Sequence, residues 1–159
     1  MLTKSDLESV LTYDPDTGVF RWKVSLRGPV RAGMVAGRPK PNGYLSIKIR
    51  QVDYYAHRLA YLYMTGEWPS RQIDHVNRTR SDNRWSNLRP ATVNQQRGNT
   101  KMQSRNSAGM KGVSLHRKSG LWRARVSTKT IGYYKRPEDA AAAYQKAAQE
   151  RFGEFACAG

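Results

Sequence analysis

The order of apolar and polar residues predicts short helices and short strands along the chain. Near the beginning, Leu7, Val10 and Leu11 share one face of a predicted helix, which is capped near Thr3 or Ser5. A turn of the Asp-Gly type then leads into a predicted strand. The apolar residues of this strand are Val19, Phe20 and Trp22.

The pattern changes twice in the following segment. Residues 28–41 are rich in Gly, Pro, Arg and Lys, which predicts a mobile basic loop. Residues 44–49 alternate as a strand, and residues 52–55 form a second strand after a turn. Residues 57–64 have the apolar spacing of a helix, and Thr65-Gly66 ends it.

The last third of the chain predicts three strands and one helix. The strands are expected at residues 112–117, 121–127 and 130–134, with turns between them. Pro137 opens a helix with acidic residues in its first turn, and Gly153 ends it. This order predicts a small three-stranded antiparallel sheet packed on one helix.

Composition adds a strong positive charge to this pattern. The chain of 159 residues has 28 Lys and Arg against 12 Asp and Glu, a formal net charge of +16, which predicts a polyanionic partner. No apolar run approaches the roughly 18 residues that span a bilayer, and no signal peptide is evident. The single cysteine, Cys157, excludes an internal disulfide. We expect a soluble intracellular protein with no membrane partner.

The densest group of chemically useful residues lies between Ile73 and Asn99. Asp74 offers a hard oxygen ligand for a divalent cation, and His75 offers an imidazole that can take a proton from water. Asn87-Leu88-Arg89 predicts a second short strand, and Thr92 caps a helix that runs to about Asn99. Alternatively, the Asp-His pair is a turn with a surface imidazole, and Asn87-Leu88-Arg89 is a loop.

This segment resembles the HNH homing endonucleases of phages and introns. The elements AHRLA, TG-WP, IDH, DN, NLR and AT occur in order from about Tyr54 to Asn99. The resemblance implies a ββα-metal fold that holds one divalent cation, Mg2+ with Mn2+ as the alternative. By the same resemblance Asp74 is a metal ligand and His75 is the general base. Asn87 bridges the loop, and Gln96 occupies the third position, a metal ligand.

Gln96 departs from the family, which has an asparagine at that position. Glutamine keeps the amide oxygen but places it one methylene farther out, and a displacement on the order of 1 Å can cost roughly 100-fold in rate. The departure leaves open an impaired or inactivated site, or substitution by Asn94 or Asn99. His57, in AHRLA, is interpreted as a helix-packing or phosphate-facing residue.

Charge is uneven in the C-terminal region. Residues 101–136 contain ten Lys and Arg and no acid, whereas residues 137–159 contain two Lys and Arg and four acids. On the predicted middle strand Arg123 and Arg125 alternate with apolar residues. We therefore expect these arginines on one side of the sheet and the helix on the other, so that the sheet can enter a major groove.

The strings KGVSLHRKSGLWRARV and IGYYKRPEDAAAAYQKAA resemble the Apetala-two/ethylene-response-factor DNA-binding domain, whose sheet enters the major groove through Arg and Trp side chains. Alternatively, Trp122 is a core residue and the arginines form a solvated face. By the resemblance, the matching DNA-binding positions are Lys111, Arg117, Trp122, Arg123, Arg125 and Tyr134.

These patterns and resemblances predict an α+β protein with an N-terminal β-rich segment. Residues 1–99 are the predicted HNH nuclease region, with its ββα-metal core at about 71–99. Residues 100–110 are a basic linker, and residues 111–159 are the DNA-binding domain. The expected function is metal-dependent hydrolysis of phosphodiester bonds at a recognised site in double-stranded DNA, with one strand nicked per active site.

Two other functions stay open. The first is a DNA-binding regulator with a decayed catalytic centre, and the second is an RNA-binding accessory of an intron. The sequence leaves a homodimer undecided. The resemblance implies the cytoplasm of a bacterium that hosts a phage or mobile intron.

Overall fold

The computed structural model of the chain describes residues 1–100, 102 and 106–157. The chain divides into two compact units, residues 1–91 and residues 92–159. Among the described residues the first unit has three antiparallel sheets and the second has one, and each unit has its own helices.

The first unit begins with helix α1 (Lys4–Val10), which is closed by a reciprocal cap. The Thr3 hydroxyl accepts a hydrogen bond from the Asp6 amide at 3.1 Å, and the Asp6 carboxylate accepts one from the Thr3 amide at 3.1 Å. Arg50 pairs with the same carboxylate at 2.8 Å. The structure therefore places the predicted cap at Thr3.

The remaining elements of the first unit, among its described residues, are eight short strands, one α-helix and one turn of 3-10 helix at Trp85–Asn87. The bounds are β1 Leu11–Asp14, β2 Val19–Trp22, β3 Val35–Ala36, β4 Arg38–Pro39, β5 Leu45–Ile49, β6 Val52–Tyr55, α2 Ala56–Thr65, β7 Gln72–His75 and β8 Leu88–Ala91. Strands β1, β2 and β3 form one sheet in that order, β4, β5 and β6 form a second, and β7 pairs with β8. Helix α2 ends at Gly66, whose φ of 85° is a left-handed conformation that suits glycine.

One apolar core joins the helices and the sheets of the first unit. Its most buried side chains come from α1, β1, β2, β5 and α2, which are separated widely along the sequence. Burial of a large aliphatic or aromatic side chain stabilises a fold by about 1.5–3 kcal/mol. The side chains below 2% exposure include Leu7, Leu11, Ile47, Leu59 and Leu62.

The second unit contains helix α3 (Val93–Gly98), a three-stranded antiparallel sheet and helix α4 (Pro137–Phe152). Its strands are β9 Val113–His116, β10 Leu121–Val126 and β11 Lys129–Tyr134. The strand order is β11, β10, β9, and α4 packs on the sheet. Four buried residues spaced by four along α4 form the face that meets the sheet. They are Ala140, Tyr144, Ala148 and Phe152.

The structure confirms the α+β class and the predicted three-strand sheet with its helix. The ββα-metal arrangement stays a prediction, as do the predicted domain bounds. Residues 28–41 were expected to be a loop, but they contain β3 and β4, which pair with β2 and β5. That expectation is wrong here because the pairing depends on distant strands. Residues 101 and 103–105 of the predicted linker lie outside the described residues.

In the described part of the chain, no helix is both long enough and apolar enough to cross a bilayer.

Candidate active site

The β7–β8 hairpin of the first unit carries the predicted catalytic pair. Asp74 lies opposite Arg89, and His75 lies opposite Leu88. Ile73 anchors the strand at 3% exposure, and the side chains that follow it are also buried, with Asp74 at 6% and His75 at 4%. The pair is therefore not the surface turn that the alternative interpretation required.

Arg89 holds the carboxylate of Asp74. Both Nε and Nη2 of Arg89 donate to Oδ2 of Asp74 at 3.1 Å. The two side chains are mostly buried, and a charge-assisted contact of this kind is stronger than a neutral one. Arg89 was part of the NLR element, but sequence reasoning gave it no role. Its position opposite Asp74 could have indicated one.

Asn83 holds the ring of His75. Asn83 is 1% exposed, and its Oδ1 lies 3.3 Å from Nε2 of His75. Its Nδ2 donates to the Ser81 carbonyl at 3.2 Å, which leaves Oδ1 as the atom that faces the imidazole. Because an amide oxygen can only accept, this contact requires the Nε2–H tautomer of His75, in which Nδ1 is the basic nitrogen. Sequence reasoning quoted Asn83 in the DN element but assigned it no function.

The environment of His75 favours the neutral imidazole. Burial lowers the pKa of His75 below its usual value, because a buried site disfavours the charged ring. The contact with Asn83 and the charge of Asp74 act in the opposite direction but are smaller. A neutral imidazole is the form that can accept a proton.

Asn87 closes the loop between β7 and β8. Its Oδ1 accepts from the Asn77 amide at 2.9 Å, and its Nδ2 donates to Asn77 Oδ1 at 3.0 Å and to the Asp82 carbonyl at 2.8 Å. Arg84 donates to both carboxylate oxygens of Asp82 and lowers the Asp82 pKa to about 2. The geometry agrees with the loop-bridging position expected of Asn87, whereas its part in catalysis stays a prediction.

Two tyrosine rings lie against the two histidines of this unit. The His57 ring meets the His75 ring edge-on with 5.3 Å between centroids, and the Tyr44 ring lies 4.9 Å from His57 and 5.8 Å from His75. Tyr55 stacks on His57 at 5.5 Å, and the Arg80 guanidinium lies 5.0 Å from the centre of the Tyr44 ring. His57 therefore packs beside His75, in agreement with its interpretation as a packing residue.

His57 itself is buried and neutral. Burial lowers its pKa to about 3. Among the residues that the structure describes, no group bonds to its Nδ1. A buried nitrogen without a hydrogen-bond partner destabilises a fold. On packing grounds alone, an apolar ring at position 57 would therefore be more favourable than an imidazole.

Gln96 lies on α3, in the second unit. Thr92 caps this helix as predicted: its hydroxyl accepts from the Gln95 amide at 3.2 Å, and Gln95 Oε1 accepts from the Thr92 amide at 2.8 Å. Gln96 is half-buried. The proposed pairing of Gln96 with Asp74 on one cation stays a prediction.

A metal ion at this site would depend on few protein ligands. Within residues 1–100, 102 and 106–157 no group of three or more His, Cys, Asp or Glu side chains is arranged to hold one. The carboxylate of Asp74 and an amide oxygen nevertheless fit Mg2+, which takes one or two protein carboxylates and completes its shell with water and phosphate oxygens. Arg89 would compete with the cation for Oδ2 of Asp74.

The sheet of the second unit separates the predicted DNA-binding residues by face. Arg123 and Arg125 share one face of β10, which we call the arginine face, and the buried Ala124 lies on the other face. Trp122 shares the face of Ala124, toward α4, and Tyr134 lies directly opposite Trp122. Trp122 and Tyr134 thus do not share the arginine face, and their DNA contacts stay a prediction.

Two further predicted DNA-binding residues lie outside β10. Arg117 is exposed in the turn after β9. Lys111 instead donates to three carbonyl oxygens of its own unit, which occupies its three N–H donors. They belong to Gly98 at 2.9 Å, Thr100 at 2.6 Å and Cys157 at 3.0 Å. We therefore leave Lys111 out of the proposed DNA surface.

The segment that contains this hairpin is similar to a known family. Residues 54–97 match the HNH endonuclease family. The predicted HNH resemblance is confirmed for these residues, and it supports a nuclease that acts on DNA, which is a phosphodiester hydrolase. The HNH match does not extend to the C-terminal sheet, so the Apetala-two/ethylene-response-factor resemblance stays a prediction. No curated protein and no solved structure matches the chain.

Proposed function

We propose that the protein is a metal-dependent HNH endonuclease of the homing type, which hydrolyses one phosphodiester bond per active site in duplex DNA. The observation that carries this proposal is the buried His75, held by Asn83 and adjacent to Asp74 within the residues that match the family. An imidazole held by one nitrogen in its neutral form is suited to general base catalysis.

In the proposed reaction His75 takes a proton from the attacking water at Nδ1, while Asn83 accepts the hydrogen bond of Nε2–H. Asn87 keeps the loop closed through Asn77 and the Asp82 carbonyl, so the imidazole does not turn away. General base catalysis of this kind contributes about 100- to 10,000-fold to a rate. The products would carry 5′-phosphate and 3′-hydroxyl ends.

Asp74 and Gln96 would hold the divalent cation, with water and a phosphate oxygen as its other ligands. The expected ion is Mg2+, and Mn2+ is the alternative. The ion would offset the negative charge that develops on the phosphate and on the leaving oxygen. Arg89 contributes its own positive charge beside Asp74, so the carboxylate does not repel the DNA backbone.

The C-terminal sheet is proposed to supply DNA affinity and recognition of the target site. Arg123 and Arg125 lie on one face, and Arg117 is exposed nearby in sequence. The strongly positive balance of residues 101–136 supports phosphate contacts, and guanidinium groups also pair with guanine edges in a major groove.

The nicking of supercoiled plasmid tests the proposed function. The full chain should convert supercoiled plasmid to open circles in Mg2+ and should leave it intact in EDTA. The His75→Ala variant should bind the plasmid normally and leave it intact in Mg2+. Equal cleavage by His75→Ala and the unchanged protein would exclude His75 as the base, and equal cleavage in EDTA would exclude the metal.

The second candidate is a DNA-binding regulator with an impaired catalytic centre. It is favoured by the pairing of Arg89 with Asp74 and by glutamine in place of the family's asparagine. Such a protein would bind DNA with a steep salt dependence yet leave supercoiled plasmid intact with both Mg2+ and Mn2+.

A further inference from the structure

The N-terminal β1–β2 hairpin lies outside the residues that match the HNH family but contacts the loop of the candidate active site. The hydroxyl of Tyr13, on β1, donates to the carbonyl oxygen of Asn83 at 2.7 Å. Tyr13 is 7% exposed, and burial raises its pKa, so the hydroxyl stays protonated and remains a donor. The residue that holds His75 is therefore itself held by the hairpin.

The turn of the hairpin approaches the same backbone even more closely. Gly18 has a φ of +73°, and a Cβ placed there would lie 2.4 Å from both the Asn83 carbonyl carbon and the Arg84 amide nitrogen. The Trp85 amide also donates to the Pro15 carbonyl at 2.9 Å. Only glycine allows the turn to pack directly on residues 83–85.

The hairpin is internally fixed, so it can hold its neighbour in place. The Asp14 carboxylate accepts from the Asp16 amide at 3.0 Å and from the Thr17 hydroxyl at 2.7 Å, which closes the turn. The Tyr13 ring packs on Phe20 at 4.7 Å and on Tyr63 at 5.6 Å. The Tyr13 hydroxyl and the Gly18 backbone are thus presented from a rigid support.

We propose that the β1–β2 hairpin positions the general base, with Tyr13 and Gly18 as positioning residues that act on His75 through Asn83. The inference rests on the proposed function of His75, but the contacts on which it depends are independent of that function. Asn83 accepts from Nε2 of His75, so a shift of its backbone moves the acceptor that selects the His75 tautomer. The HNH core would then need residues 1–53 for its chemistry and not only for its stability.

The Gly18→Ala variant tests the close approach, with Gly33→Ala as the matched control. Both glycines have positive φ, +73° and +83°, but a Cβ at Gly33 has open space around it. Gly18→Ala should lower the single-turnover nicking rate by about 100-fold, because a displacement near 1 Å has that effect. Gly33→Ala should nick at nearly the original rate, and both should bind DNA with unchanged affinity. Equal rates for the two variants would overturn the proposal.

The Tyr13→Phe variant tests the hydrogen bond while it keeps the ring. It should lower the nicking rate by roughly tenfold, in line with the loss of one buried hydrogen bond. Tyr63→Phe makes the same chemical change on a ring of the same cluster and should have little effect. A rate for Tyr13→Phe equal to that of Tyr63→Phe would contradict the role of the hydroxyl. This variant keeps the proposal testable if Gly18→Ala does not fold.

Nitrogen-15 NMR of the His75 imidazole separates this inference from the proposed function. The full chain should show the Nε2–H tautomer, and Gly18→Ala should show a mixture of tautomers, whereas Gly33→Ala should resemble the unchanged protein. An unchanged tautomer in Gly18→Ala would overturn the positioning role, whatever the nuclease result. If the full chain does not nick plasmid but Gly18→Ala still changes the His75 tautomer, the proposed nuclease function fails while the contact between the hairpin and His75 stands.

Discussion

The candidate active site and the arginine face of the C-terminal sheet hold their polar side chains in opposite ways. Asp74, His75 and Asn83 are at most 6% exposed, and each is bonded to a named neighbour. Arg125 is exposed, and Arg123 is half-buried with one hydrogen bond to Ser114 at 3.3 Å. The polar side chains of the candidate active site are thus held by buried contacts, whereas those of the arginine face are at least partly open to solvent.

The difference follows from what each region would do. A general base must be within hydrogen-bond reach of its water, so its geometry is set in advance by buried contacts. Guanidinium groups that meet phosphates or base edges can adapt as they bind, at the cost of side-chain entropy. Changes in the first region should therefore alter the rate, and changes in the second should alter the affinity.

Apart from the loss of nicking expected for His75→Ala, the largest effect is expected at Asn87. Asn87→Ala removes three hydrogen bonds of the loop, and we expect the single-turnover nicking rate to fall by about 100-fold as His75 loses its fixed position. The free energy of unfolding should fall by about 1–3 kcal/mol, because buried partners lose their bonds. Ser86→Ala, at an exposed neighbour, is the control. A larger loss of DNA affinity than of rate would contradict the comparison.

The second effect is expected on the arginine face. Replacement of both Arg123 and Arg125 by alanine should weaken DNA binding by roughly 10- to 100-fold. It should also flatten the salt dependence of log K by about 0.9 for each lost phosphate contact. The rate at saturating DNA should stay the same. The control is the double Lys146→Ala and Arg151→Ala variant on α4. An equal loss of affinity in that control would show that net charge, and not this face, governs binding.

The third effect is expected at His57. His57→Ala removes the ring beside His75 and should lower the nicking rate by about tenfold, whereas His57→Phe keeps a ring and should recover most of it. His57→Phe should also be more stable than the unchanged protein by about 1 kcal/mol, because it removes an unpaired buried nitrogen. Equal nicking by His57→Ala and the unchanged protein would exclude a role for this ring.

The same residue gives a pH dependence of stability. The pKa of His57 is about 3 in the folded chain and 6.5 when unperturbed, so below pH 6.5 the unfolded chain binds the extra proton. The contribution of His57 to stability should therefore be complete above pH 6.5 and should decline as the pH falls toward 3. His57→Phe should show a shallower decline in urea unfolding over this range. Parallel curves for the two proteins would contradict the buried, neutral imidazole.

The smallest effect is expected at Gln96. Gln96→Asn shortens the side chain to that of the family and should raise the nicking rate several-fold if the amide binds the cation. The Mg2+ concentration for half-maximal nicking should fall as well. Gln149→Asn, on the exposed surface of α4, is the control. An unchanged rate and an unchanged Mg2+ requirement would count against Gln96 as a ligand.

Much of the fold could be predicted because its signals are local. Thr92 before an amide-rich helix, and Pro137 before an alanine-rich helix, mark helix starts within a few residues, and the structure begins α3 and α4 there. The β9–β11 sheet follows from alternation and turns for the same reason. The family resemblance singled out Asp74 and His75, and the structure buries both at consecutive positions of β7.

The remaining features depend on contacts between residues that are distant in sequence. The bond from Tyr13 to Asn83 joins residues 70 positions apart, and no periodicity marks either residue as its partner. Strands β3 and β4 are only two residues long and exist through their partners. Lys111 has the charge of a DNA contact, yet its ammonium group bonds carbonyl oxygens brought near it by folding.

A parallel measurement of DNA affinity and single-turnover nicking rate tests the separation of chemistry from binding most directly. It compares the full chain with His75→Ala and with the double Arg123→Ala and Arg125→Ala variant in Mg2+. The account predicts that His75→Ala loses the rate and keeps the affinity, and that the double variant keeps the rate and loses the affinity. Loss of both quantities together in either variant would contradict it.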